Sequence, residues 1–183
     1  MNDEIREAIE TDKQGITDVI VAAFGEEEGQ VIDKLVWDLT EDPSAQPMLS
    51  LVATHEGRIV GHILFTNTSI NTSQGTVSST ILAPLSVHPS YQRQGIGGRL
   101  IKAGLERLKE NKVELVFVLG HPSYYPKFGF ITAGVNGFEA PYPIAPKNSE
   151  AWMVQALRPG AIEQISGQVL CANAMSDPKY WQE

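Results

Sequence analysis

The sequence predicts an α/β fold, a mixed and mostly antiparallel sheet of about seven strands with helices packed against it. Three observations carry this expectation. Apolar residues recur at helical spacing before residue 40, period-two patterning takes over from Met48, and an apolar strand then alternates with an amphipathic helix and a second apolar strand. At 183 residues, with 42% hydrophobic and 20% charged side chains, the chain has enough material to bury a substantial core as one domain, 1–183.

Taken in order, a short strand around Ile5 to Ile9 comes first. Thr11 or Asp12 then caps a helix that carries Ile16, Val19, Ile20, Ala23 and Phe24 on one face, and Gly25 stops it. Glu26, Glu27 and Glu28 open a second helix, where acids suit the positive end of the dipole, and "EDPSAQP" ends it. "MLSLVATHEGRIVGHILFTNTSI" reads as two strands joined by the turn "HEGR". "TVSSTILAPLSV" is the fourth strand; Pro84 within it cannot donate to a sheet ladder, so a bulge or a splayed strand is expected there. A helix from about Arg93 to Glu110 and the buried strand "ELVFVLG" follow. The Pro-rich loop "GFEAPYPIAPKNSE", the strand "AWMVQAL" and a last strand around Gln168 to Cys171 complete the reading.

A formal charge of -8 and a pI near 5 argue against a nucleic-acid partner, which normally leaves a basic footprint. No apolar run reaches the roughly 18 residues of a membrane span, and "MNDEIREAIETDKQ" has neither a secretory nor a transit pattern. The single Cys171 excludes an intrachain disulfide and fits a reducing compartment, so a soluble cytoplasmic protein is expected. His55, His62 and His88 show no metal-type spacing with one another or with Cys171, and no metal is expected.

Gly95, Gly97 and Gly98 crowd the entrance of the helix after the fourth strand. A dinucleotide fingerprint would place a third glycine where Leu100 stands and an acid after the following strand, where Gly120 and His121 stand. A P-loop would end in Gly-Lys-Ser/Thr, which "GIGGRL" lacks. Two readings are left. In one, the free N–H groups of the first helical turn and the helix dipole form a nest for a pyrophosphate, with Arg93 and Arg99 adding charge. In the other, the glycines serve a tight turn and close packing of helix on sheet.

The wider context resembles one family. Gln92-x-x-Gly95-x-Gly97, preceded by "LAPLSV" and followed by an apolar-faced helix, resembles the acetyl-CoA-binding motif of the GNAT superfamily of N-acetyltransferases. "ATHEGRIVGHILFTNTSI" is similar to the superfamily's second and third strands, and "VFVLGHPSYYPKFGF" to its fifth strand and tyrosine signature. "LGHPSYYPKFGF" with "APYP" and "ALRPGA" resembles the YhbS-type branch, so nearly the whole chain is covered.

The resemblance implies the GNAT fold, splayed between strands 4 and 5, and direct transfer of an acetyl group from acetyl-CoA to a primary amine of a small molecule or peptide. By motif position, the backbone N–H of Leu85 faces the acetyl carbonyl and the backbone of Val87 pairs with the pantetheine arm. The turn from Arg93 through Gln94, Gly95, Ile96 and Gly97 to Gly98 holds the pyrophosphate. Tyr125, five residues before Phe130, protonates the leaving thiolate, while Tyr124 packs beside it or lines the substrate side. No metal is implied, and a homodimer is. Two departures from the family pattern stand out. Thr80 and Ile81 occupy the place of the usual strand-four glutamate, which leaves water, Glu27, Glu28 or His121 to take the amine's proton. His121-Pro122 replaces the asparagine that often precedes the tyrosine. The missing glutamate also leaves open a non-catalytic acyl-CoA-binding or sensor module.

Overall fold

The computed structural model describes residues 3–73 and 75–182. β1 (Glu4–Glu7) leads through a 3-10 turn to α1 (Lys13–Phe24) and α2 (Glu26–Thr40). Asp12 does not cap α1 with its side chain. Its carboxylate instead accepts from the Arg6 guanidinium at 2.7 and 3.0 Å and from the Ile9 N–H at 2.8 Å, closing the turn before the helix. Gly25, at φ 88°, ends α1 as its N–H donates to the Val21 carbonyl, and the three acids fill the first turn of α2.

β2 (Leu49–His55), β3 (Arg58–Asn71) and β4 (Ser79–Val87) form an antiparallel meander, followed by α3 (Ile96–Glu110) and β5 (Leu115–Leu119). β6 (Ile131–Thr132), β7 (Phe138–Glu139), β8 (Trp152–Ala156), the short α4 (Ala161–Gln164) and β9 (Gly167–Leu170) complete the elements used below. The main path of the sheet, β1-β2-β3-β4-β5-β8-β6, has seven strands, of which β6 was not expected; the expected last strand, β9, lies off this path and pairs with the far end of β3 and with β7.

Period-two alternation sends neighbours to opposite faces. Val52, Leu64 and Phe117 pack with Ile20, Leu35 and Leu39 under α1 and α2, whereas Leu51, Ile63 and Val118 pack with Leu100 and Ile101 under α3. Two apolar layers therefore hold one sheet between helices.

The opening lies where Pro84 was expected to make one. Ile63 pairs with Leu85 and Phe65 with Leu82, so β4 carries one more residue than β3 across the stretch that contains Pro84. On its other edge β4 runs parallel to β5 only from Ser79–Leu115 to Leu82–Val118. β5 continues alongside β8 through Leu119–Trp152. Past Leu82 the two central strands part, and the sheet has a gap with one helix layer on either side. Among the described residues, no helix is long and apolar enough to cross a membrane.

Candidate active site

The glycine turn is pinned to β4 by Gln92, whose side-chain amide donates to the Val87 carbonyl at 3.0 Å. Arg93 (φ 63°) and Gly95 (φ 83°) both take left-handed backbone conformations, which a right-handed helix cannot contain. α3 accordingly starts at Ile96 and not near Arg93. The first N–H groups of α3 have no intrahelical partners, and no side chain caps them.

The three glycines divide the work. A Cβ on Gly95 would meet nothing within 4 Å, so that position is open to a ligand and needs glycine for its φ. A Cβ on Gly97 would lie 2.7 Å from the Tyr124 hydroxyl, and one on Gly98 would lie 3.0 Å from the Phe128 ring. Close packing and ligand approach both operate, at different glycines.

The aromatic arm that meets α3 follows β5. The His121 carbonyl accepts from the N–H groups of Tyr124 at 3.0 Å and Tyr125 at 3.3 Å, so His121 begins the turn through its backbone and leaves its side chain exposed. The tyrosine segment is one 3-10 turn, Tyr125–Phe128. The Tyr125 ring covers Gly120 and meets Tyr124 and Phe130 edge-on, with centroids at 5.1 and 5.7 Å. Only 8% of Tyr125 is exposed, and burial pushes its phenol pKa upward, keeping it protonated at neutral pH. Tyr124 is half-buried, with Lys127 Nζ 5.7 Å from its ring centroid.

These parts line one cleft of about 1160 Å³ that passes through the gap in the sheet. Ordinary small-molecule pockets span roughly 300–1,000 Å³, so this cleft has room for a long ligand and a second molecule. Of the residues expected from the sequence, Leu85, Val87, Arg93, Gly95, Ile96, Gly97, Gly98 and Tyr125 lie on its wall; Gln94 does not and is exposed. Glu28 and His121 line it, whereas Glu27 does not. Thr80, in the usual glutamate region, is buried and donates its hydroxyl to the Thr66 carbonyl at 2.7 Å.

Sequence reasoning missed Lys102 and Lys127, which join Arg93 and Arg99 on the wall near α3. Lys102 could have been found, because it sits one helical turn beyond Gly98. It also missed the wall built from Met175, Tyr180 and Trp181, which no periodicity announces. The histidines stand apart. His55 is half-buried against Asp3 and Tyr91 and not freely exposed at its turn, His62 is fully buried, and His88 accepts from the Ser90 N–H. No group of residues able to hold a metal exists among the described residues.

A strand that leaves its parallel neighbour at a proline, a left-handed entry into the next helix and a tyrosine turn packed on that helix are one architecture. The chain belongs to the acetyltransferase (GNAT) domain family, whose model matches residues 4–133. Within that family it is 43% identical to the uncharacterized N-acetyltransferase YjhQ of Escherichia coli strain K12 over 164 residues, covering 89% of this chain and 88% of YjhQ. It is 32% identical over 167 residues to the uncharacterized N-acetyltransferase YhbS of the same strain, covering 90% and 93%. The crystal structure of E. coli YhbS in complex with CoA matches the fold with a TM-score of 0.85 at 30% identity, over 97% of this chain and 93% of that one. A GNAT family acetyltransferase from Brucella melitensis in complex with acetyl-CoA matches with a TM-score of 0.73 at 28% identity, over 95% and 98%.

Proposed function

We propose that the chain, acting as one domain over residues 1–183, transfers an acetyl group from acetyl-CoA to a primary amine, with both substrates bound in the cleft at once. The observation that carries this reading is the continuity of the cleft from the glycine turn, past Leu85, to Tyr125 and the α2 side. The CoA and acetyl-CoA complexes of the two structural relatives support it. A cytoplasmic setting and a homodimeric state belong to the same reading.

Acetyl-CoA supplies an acetyl group already activated as a thioester. The chain supplies binding, orientation and proton handling. The turn from Arg93 to Gly98 offers N–H groups to the pyrophosphate, and Arg93, Arg99, Lys102 and Lys127 add positive charge on the same side. The interrupted pairing of β4 leaves Leu85 N–H to face the acetyl oxygen, and Val87 to bind the pantetheine arm. A donor preset against an oxygen that gains charge is worth roughly 3–4 kcal/mol.

The amine nitrogen bonds to the acetyl carbon, the C–S bond breaks, and the nitrogen releases a proton to water in the cleft. Tyr125 donates its phenolic proton to the departing sulfur and recovers one from solvent. Burial that raises the phenol's pKa also disfavours a bare thiolate beside it, so both effects hold the proton between oxygen and sulfur.

Tyr125→Phe tests the assignment, with CoA thiol release as the readout over a panel of amines. We expect the kcat to fall at least about 100-fold while acetyl-CoA affinity changes by less than about threefold. Unchanged turnover would remove Tyr125 from the chemistry. Tight acetyl-CoA binding by the unaltered chain, without thiol release for any amine, would instead leave a binding module.

A further inference from the structure

The two mouths of the cleft differ in chemistry. α3 and α1–α2 lie on opposite faces of the sheet, and the four cationic side chains on the wall, Arg93, Arg99, Lys102 and Lys127, all belong to the α3 face or the arm packed on it. On the α2 face the wall is apolar apart from the Tyr180 hydroxyl and one charged group. Among the described residues that line the cleft, Glu28 is the only carboxylate.

Glu28 is an exposed residue in the first turn of α2, on a helix that is itself firmly seated. Glu28, Ile32 and Leu35 follow one another at spacings of four and three, so they share one face of α2, and all three line the cleft. The neighbouring Gly29 is buried where a Cβ would lie 2.7 Å from the Val21 backbone, so the start of α2 is seated directly on α1. Glu26 accepts from Gln30 and Glu27 lies off the wall, but among the described residues nothing pairs with the Glu28 carboxylate.

The far side of this chamber is also fixed. Asp42 and Ser44, just past α2, accept from the N–H groups of Ala174 and Asn173 at 2.8 Å each. Trp181 donates its indole N–H to the Met175 carbonyl at 3.2 Å and meets Trp152 edge-on. Met175, Tyr180 and Trp181 thereby add a fixed, largely apolar stretch to the same cleft wall.

We infer that the α2 side of the cleft is a subsite for a primary amine with an apolar or aromatic body, whose ammonium group is held by Glu28. This deepens the acetyltransferase reading and rests on it for the direction of transfer. A cation is drawn to the lone carboxylate, its apolar body meets Ile32, Leu35 and the C-terminal wall, and an anionic acceptor finds no arginine or lysine on that side. The held nitrogen gives up one proton to cleft water before it attacks the acetyl carbon and a second as the amide forms, so Glu28 sets specificity through binding, and its removal affects acceptor binding more than turnover.

The probes are 2-phenylethylamine and 3-phenylpropanoate, a cation and an anion of nearly equal size, titrated calorimetrically into the full chain loaded with CoA, which cannot transfer an acetyl group. The amine should bind at least about tenfold more tightly than the anion. Glu28→Gln should weaken amine binding about tenfold and bring the two probes level, Glu28→Asp should restore part of the preference, and Glu27→Gln should change neither. With acetyl-CoA, Glu28→Gln should raise the KM for the amine and leave kcat within about threefold. Equal binding of amine and anion to the unaltered chain, or an unchanged amine preference in Glu28→Gln, would overturn the inference. If CoA does not bind, the transferase reading fails by itself, and the same titrations into the free chain still decide whether Glu28 selects cations.

Discussion

His62 lies on β3 with no exposed surface, its Nε2 2.9 Å from Ser50 Oγ and its Nδ1 without a partner. Burial pushes its pKa down from 6.5 to about 4, so the ring is neutral in the folded chain. Unfolding at intermediate pH takes up a proton. The stability that follows from a neutral His62 is fully present above about pH 6.5 and is lost as pH falls toward 4, at up to about 1.4 kcal/mol per pH unit. Urea unfolding between pH 7.5 and 5 should show this extra loss in the unaltered chain and not in His62→Gln; parallel curves would contradict it. Residues on and around the glycine turn were legible because their types are demanded by position: a left-handed Gly95, a proline inside a strand, a tyrosine at fixed distance from Phe130. His62 was not, since a histidine within "IVGHILF" carries no mark of whether it is buried or exposed.

At the scale of elements, α3 is pressed against the sheet through Gly104, where a Cβ would clash with the edge of the Phe65 ring. Gly104→Ala gains about 1 kcal/mol in helix propensity, but overpacking against a buried aromatic costs about 1–3 kcal/mol. A net loss of up to about 2 kcal/mol is expected in urea unfolding, and Phe65→Leu in the same chain should recover part of it. A stabilised Gly104→Ala would show that the helix sits farther from β3 than described. Both long helices of the first half, the hairpin, β4, β5 and β8 were readable from period and length. Boundaries were less so. α3 begins three residues after Arg93 because left-handed backbone at Arg93 and Gly95 excludes them from the helix. The two-residue strands β6 and β7 and the 3-10 turns after β9 are too short to carry a period, and they owe their form to packing and capping by residues far away in sequence.

For the molecule as a whole, net charge was a poor guide to the site. The chain carries a formal charge of -8, yet the α3 side of its cleft gathers four cations. The half of the cleft built from consecutive residues, 83–99 and 118–128, was legible as a motif. The other half was not, because Phe24, Glu28, Met175 and Tyr180 come together only when the chain's end folds back on α2. The central claim is that the gap between β4 and β5 holds acetyl-CoA by the turn before α3. Calorimetric titration of acetyl-CoA and of NAD into the full chain, and into Gly95→Val, tests it most directly. Valine at a φ of 83° is strained and would fill an open position. One acetyl-CoA should bind per chain, at least about tenfold more tightly than NAD, and binding should be largely lost in the variant; tighter binding of NAD, or undiminished acetyl-CoA binding by Gly95→Val, would rule out this placement.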